Sequence, residues 1–217
     1  MNTCDSLHKW TNSLPAFRFP FDAFQIPSNG IYFLFEKGEV AHGVNRIVRV
    51  GTHTGNNQLQ SRLRQHFLAE NKDRSIFRKN IGRALLNREL DPFLAFWEVD
   101  LTSRLMKQRY IGADLDKQKE TERRVSIYIR DNFSFVVVRI DDKAQRLMLE
   151  SKLISTVSLC QGCKPSDRWL GLFSPKPKIR ESGLWLVNEL YKEPLSDSEL
   201  EGLIRSAEGV LLGQHAS

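Results

Sequence analysis

The chain has 217 residues, 41% hydrophobic and 27% charged, which suits one elaborated domain or two small ones with a proper core and excludes a disordered polymer. Lys and Arg outnumber Asp and Glu by 32 to 26, and the formal net charge of +6 favours polyanionic partners. Three cysteines are too few for a secreted disulfide scaffold, no window approaches the ~18 apolar residues of a membrane span, and no basic stretch leads into an apolar one at the N-terminus, so the expectation is a cytoplasmic, bacterial protein without a membrane partner.

The first stretch, through about residue 68, opens with a leader holding Phe17, Phe19, Pro20, Phe21, Phe24 and Pro27. These aromatics recur too irregularly for an amphipathic helix, so residues 1–27 read as a packing arm. Two strand candidates follow, Gly30 to Phe35 and Arg46 to Gly51, with a glycine-bearing hairpin loop over 36–45 between them. From Gln58 to Phe67, apolar residues at Leu59, Leu63 and Phe67 predict a helix with one buried stripe.

A charged, mostly helical stretch is expected over about 69–131. Residues 75–86 and 116–130 alternate basic and apolar positions at helical spacing, and Phe93 to Val99 reads as a short strand between them. Basic helices can grip phosphates, although a solvated outer face is the commoner use of such charge.

Phe133 to Ile140 is β-branched and flanked like a buried strand. Asp141 or Asp142 can cap the helix that follows, whose apolar positions are Leu147, Leu149, Leu153, Ile154 and Val157. A Lys-, Pro-, Ser- and Gly-rich loop then leads to a last helix signalled by Ser196 or Ser198 with Glu199. Cys160-x-x-Cys163 is half of a four-thiolate zinc pattern. No second pair and no nearby downstream histidine complete it, which leaves a structural or incidental role.

The order of motifs carries the functional reading. Gly30-Ile-Tyr32 opens the first strand, Arg49-Val-Gly51 closes the second, Arg62 and His66 sit one helical turn apart on the next helix, and Glu150 lies in Leu-Glu-x-x-Leu-Ile after the third strand. This succession resembles the GIY-YIG nuclease family over roughly residues 28–68 and 133–190. Arg49-Val-Gly-Thr-His53, Ser75-Ile-Phe-Arg78 and Ser182-Gly-Leu-Trp185 also look like a bacterial branch of that superfamily. The resemblance implies an α+β fold, a small three-stranded mixed or antiparallel sheet flanked by helices. It places the nuclease domain at 28–190, a helical insertion at about 69–131 and a C-terminal helical extension at 191–217.

What it implies for chemistry is a metal-dependent endonuclease cutting DNA, double-stranded by preference. Glu150 would hold Mg²⁺ or Mn²⁺ with several waters. Tyr32 would orient or activate the attacking water, helped by positive charge from the metal or Arg62, and Arg62 with His66 would hold the scissile phosphate. The second motif normally brings a tyrosine where this chain has Arg49. Arginine stays protonated and cannot be a base, though it can bind phosphate, so His53 is the candidate to supply the base instead. Arg49, Arg64, Arg74, Arg78, Lys79 and Arg83 are the expected nucleic-acid contacts, and Asn188 is the nearest counterpart of the family's late asparagine. Cutting both strands could use a homodimer. The missing tyrosine keeps open an alternative, a catalytically inactive nucleic-acid-binding module of the same fold.

Overall fold

A computed structural model of the chain describes residues 2–102 and 114–213. The middle of the expected helical stretch, 103–113, lies outside them. The scaffold is a four-stranded antiparallel sheet with helices on both faces. β1 (Phe17–Arg18), β2 (Gly30–Ala41), β3 (Val44–Gly51) and β4 (Phe133–Arg139) take the order β1-β4-β2-β3. The fold class is therefore α+β, with one strand more than expected. The addition comes from the leader, where Phe17 pairs with Phe135 and stacks on its ring at 5.3 Å.

Eight α-helices are described: α1 (Thr3–Ser13), α2 (Leu59–Phe67), α3 (Ile76–Arg88), α4 (Leu94–Trp97), α5 (Leu115–Asn132), α6 (Lys143–Ser158), α7 (Pro177–Ser182) and α8 (Asp197–Gly213). None is long and apolar enough to cross a membrane. Both faces of the sheet are covered, so β2 and β4 are nearly continuous apolar runs rather than alternating ones. Ile31, Phe33, Val50, Val136 and Val138 face one core with residues of α1, α6 and α8. Tyr32, Leu34, Val48 and Phe135 face a second core with α2, α3 and α5, into which Trp97, Trp169 and Trp185 also pack.

Capping chemistry sets several boundaries. Asn2 accepts the Asp5 N–H at 2.8 Å and starts α1, which the leader's sequence did not suggest. Asp142 accepts from Gln145 N–H at 2.7 Å. Before α8, Ser196 Oγ accepts the Glu199 N–H while Glu199 Oε2 accepts the Ser196 N–H, a reciprocal capping box. The hairpin loop expected over 36–45 is instead strand on both sides of a two-residue turn, His42 and Gly43, with φ of 54° and 78°, the pairing of positive φ values that hairpin twist favours.

The strand expected at Phe93–Val99 is the short helix α4. Asp91 accepts the Phe93 N–H at 2.9 Å and turns the chain after Pro92, and Trp97 is then buried with its indole N–H donating to the Lys79 carbonyl at 3.0 Å. A local turn and one large anchor override the apolar pattern.

The register of β2 and β3 places the site. Leu34 lies opposite Arg49 and Phe35 opposite Ile47, so Val48 is an extra residue, a bulge. Val48 and Arg49 both turn toward α3 as a result. The Val48 carbonyl accepts the Trp185 N–H at 2.8 Å, which docks the 182–188 segment along β3.

Candidate active site

Four segments meet at the end of β3. They are the β3 terminus with Arg49, α3 with Asn80, α6 with Glu150, and the 186–189 segment with Asn188 and Glu189; together they line a cleft of about 400 Å³. A larger groove of about 760 Å³ along the leader and β4 contains none of these groups. We take the smaller cleft as the site because two glutamates, an arginine and two amide residues converge there.

Arg49 is only 6% exposed. Its Nη1 donates to the Trp185 carbonyl, its Nε to the Tyr32 hydroxyl at 3.4 Å, and its guanidinium lies over the Phe77 ring at 5.5 Å. Nη2 has no partner among the described residues. Glu150 is half-buried and its Oε1 accepts the Thr52 N–H at 2.9 Å, while Oε2 has no hydrogen-bond partner among the described residues. Burial pushes the Glu150 carboxyl above its ordinary range, against the opposing pull of the Thr52 N–H, Arg49 and Arg62.

That shift has a stability consequence. A carboxyl whose pKa is higher folded than unfolded holds its proton more tightly in the folded state, so its ionisation costs stability as pH rises through the interval between the two values. Glu150→Gln is expected to raise the melting temperature at neutral pH, and to lose that advantage in acid, where the wild-type carboxyl is protonated in both states. Differential scanning calorimetry checks both. An unchanged or lower melting temperature for the variant would contradict this description of the carboxylate.

Tyr32 and His66 are brought together, but behind the cleft. Both are fully buried, with the Tyr32 hydroxyl 2.8 Å from His66 Nε2 and His66 Nδ1 2.7 Å from Ser75 Oγ. A Cβ on Gly51 would come within 2.3 Å of the Tyr32 hydroxyl, so the glycine of the second motif is what lets the phenol lie flat against the strand end. Tyr32 thus touches Arg49 rather than solvent, and His66 is not exposed to hold a phosphate as expected. Burial holds the His66 pKa well below its ordinary value of 6.5, helped by the Arg62, Arg49 and Arg78 charges. A histidine depressed in this way binds its proton less well folded than unfolded, so stability present above pH 6.5 is lost as the pH falls below that value. His66→Gln should flatten this acid limb in urea titrations between about pH 6.5 and 5; an unaltered limb would place the titration elsewhere.

His53, the expected base, is turned toward the backbone. Its Nδ1–H donates to the Gly55 carbonyl at 2.6 Å and its Nε2 faces the Gly30 N–H at 3.4 Å, so both nitrogens serve the backbone and the ring latches the loop after β3. Arg62 is half-buried, with Nη1 donating to Gln65 Oε1 and to the Arg74 carbonyl, each at 3.1 Å. It does not line the cleft, though its charge reaches both Glu150 and His66.

The expected nucleic-acid contacts divide. Arg64 and Arg74 are exposed. Arg78 is not: it is 0% exposed and bound to Glu122 through Nε at 3.2 Å and Nη2 at 2.7 Å. Arg83 forks onto both oxygens of Glu98 at 2.6 and 2.5 Å, and Lys79 donates to the Glu98 carbonyl at 2.9 Å. These three cations hold the helical layer together instead of facing solvent, because the carboxylates that pair with them lie on neighbouring segments the sequence does not connect.

Asn80 was not anticipated. Its Oδ1 accepts from Arg83 at 2.6 Å, and its Nδ2 is a buried donor with no partner among the described residues. It lines the cleft beside Glu150, and an orphaned buried donor in such a place calls for a ligand acceptor. Its only trace in the sequence is a polar residue on the apolar face of α3.

The strand ends, one helix and a late glutamate of this antiparallel α+β scaffold thus frame one cleft. The family model described as GIY-YIG domain matches residues 7–209, nearly the whole chain, and the protein belongs to that family. No curated protein and no solved structure matches it.

Proposed function

We propose that the protein is a metal-dependent endonuclease that hydrolyses DNA phosphodiester bonds in the cleft of Arg49, Asn80, Glu150 and Asn188. The observation that carries this reading is the convergence of Glu150 and Arg49 on a cleft within a nuclease-family chain. The donors suit a hard divalent cation: Glu150 leaves Oε2 unpartnered, and Asn188 and Glu189 add oxygen atoms to the same cleft, a set that matches Mg²⁺ or Mn²⁺ with retained waters. A divalent ion held by Glu150 supplies positive charge against the phosphate and acidifies water.

The chain's own residues do the rest. Arg49 places a permanent charge where negative charge grows on the phosphate oxygens, and it is already aimed by the Trp185 carbonyl and the Tyr32 hydroxyl, so little reorganisation is needed. Asn80 Nδ2 donates to a phosphate oxygen. Tyr32 and His66 act as positioning residues behind Arg49, since neither reaches the cleft. As water bonds to phosphorus it gives up a proton to solvent, the bond to the departing sugar oxygen breaks, and that oxygen takes a proton from solvent. Arg64 and Arg74 contact the DNA backbone from the exposed face of α2 and the turn after it.

The burial of Tyr32 also favours a second reading, a module that binds DNA without cutting it, because the family's first tyrosine is shut away and the second is Arg49. The two separate on one experiment. Supercoiled plasmid, branched DNA and single strands are incubated with the protein in Mg²⁺, Mn²⁺ or EDTA. Nicking or linearisation in either metal and none in EDTA supports hydrolysis. Retention of all three DNAs uncut, in every condition, establishes the binding module.

A further inference from the structure

We propose that Cys4, His42, Cys160 and Cys163 bind one zinc ion in a closed structural site, separate from the Glu150 cleft and independent of the nuclease reading. The four residues come from three distant places: the first turn of α1, the tip of the β2–β3 hairpin, and the short turn after α6. Their donor atoms nevertheless lie within 4.8 Å of one another. Cys4 Sγ is 3.4 Å from Cys163 Sγ, and His42 Nε2 is 3.3 Å from Cys163 Sγ and 3.5 Å from Cys160 Sγ. Zinc with Zn–S of about 2.3 Å and Zn–N of about 2.0–2.1 Å has tetrahedral edges of roughly 3.5–3.8 Å, which these separations approach with small adjustments.

The surroundings distinguish a ligand set from a chance gathering of thiols. His8 is also near, 3.6 Å from Cys4 Sγ and 3.8 Å from Cys163 Sγ. Both its nitrogens are committed to backbone, Nδ1–H donating to the Cys4 carbonyl at 2.9 Å and Nε2 accepting the Ile47 N–H at 3.1 Å. His42 is different. Its Nε2 points at two sulfurs while its Nδ1 lies 3.9 Å from Asp5 Oδ1, beyond hydrogen-bond length but on the side from which a small shift would give the carboxylate-behind-imidazole arrangement that orients metal-bound histidines. Gly162 keeps the ring close, since a Cβ there would stand 3.0 Å from His42 Cε1. Three thiolates and one imidazole fill a tetrahedron, so the site has no open position and no hydrolytic chemistry. It ties α1 and the hairpin tip to the chain just before Ser166, whose N–H and hydroxyl bind Glu39.

The full chain, purified under reducing conditions and dialysed against metal-free buffer, is measured by inductively coupled plasma mass spectrometry. One zinc per chain is expected, with the same content in Glu150→Gln and near-complete loss in Cys160→Ser and in His42→Ala. Cys160 and His42 are the less buried ligands, so these variants should stay folded, with a lower melting temperature. Cobalt exchanged into the wild type reports without any variant: tetrahedral visible bands with strong thiolate charge transfer are expected. The proposal is overturned if the reduced wild type carries no zinc and takes up neither zinc nor cobalt, if both variants keep full zinc, if the metal is lost with Glu150→Gln, or if Cys4 and Cys163 are found joined as a disulfide in the native protein.

Discussion

Arg49→Ala is expected to slow DNA cleavage by about 10²–10³-fold, the usual effect of removing one preorganised donor from a developing anionic charge. The reason lies in the β3 bulge. Val48 is the extra residue, and it rotates Arg49 onto the face occupied by Tyr32 and Phe77, where the Trp185 carbonyl fixes its guanidinium. Arg49→Lys keeps the charge but loses the fork, and should recover part of the rate at most. Tyr32→Phe removes the hydroxyl that accepts from Arg49 Nε and pairs with His66 Nε2 but leaves the guanidinium in place on the Trp185 carbonyl, and should therefore cost less than Arg49→Ala. Single-turnover rates on a nicked-circle assay order the three. If Arg49→Ala cuts as fast as the wild type, this arginine is not part of the reacting site.

The second large effect falls on stability. Arg78 is fully enclosed and shares its donors among the Glu122 carboxylate and carbonyl, Ser126 Oγ and the His66 carbonyl. Arg78→Ala strands a carboxylate that is itself buried and should destabilise the protein by about 3–5 kcal/mol, seen as an earlier urea midpoint. The same pair joins α3 to α5, so Glu122→Ala should cost a similar amount, and the double variant less than the sum of the two. For those that remain folded, the salt dependence of DNA affinity should be unchanged. Arg64→Ala and Arg74→Ala should behave in the opposite way, leaving the urea midpoint in place and each lowering the logarithmic salt slope by about 1. A stable Arg78→Ala protein with a reduced salt slope would return Arg78 to the DNA surface.

The contrast between Arg78 and Arg74 shows where sequence information ran out. Helical spacing located the helix that carries Arg78, because periodicity is local, whereas the carboxylate that buries it sits 44 positions away. The helix that carries Glu150 was legible through Leu149, Leu153 and Ile154, all buried as the α6 pattern demands. The surroundings of His53 were hidden for a related reason. A histidine after a strand end suggests a base, but its partners are the Gly30 N–H and the Gly55 carbonyl, and backbone groups carry no signature in a sequence. The bulge that aims Arg49 is likewise a property of two strands in register. The Cys160-x-x-Cys163 pair looked like half a site because its complement, Cys4 and His42, is supplied by a helix turn and a hairpin tip that meet it only after folding.

The most direct test of the hydrolytic cleft compares the wild type with Glu150→Gln, a variant expected to be at least as stable. Supercoiled plasmid is nicked under single-turnover conditions in Mg²⁺, and DNA affinity is measured on the same samples. A hydrolytic role for the carboxylate requires nicking by the wild type and none by the variant, at similar affinity. Equal nicking by both proteins would contradict it, since the carboxylate on which the whole site is built would then play no part in the reaction.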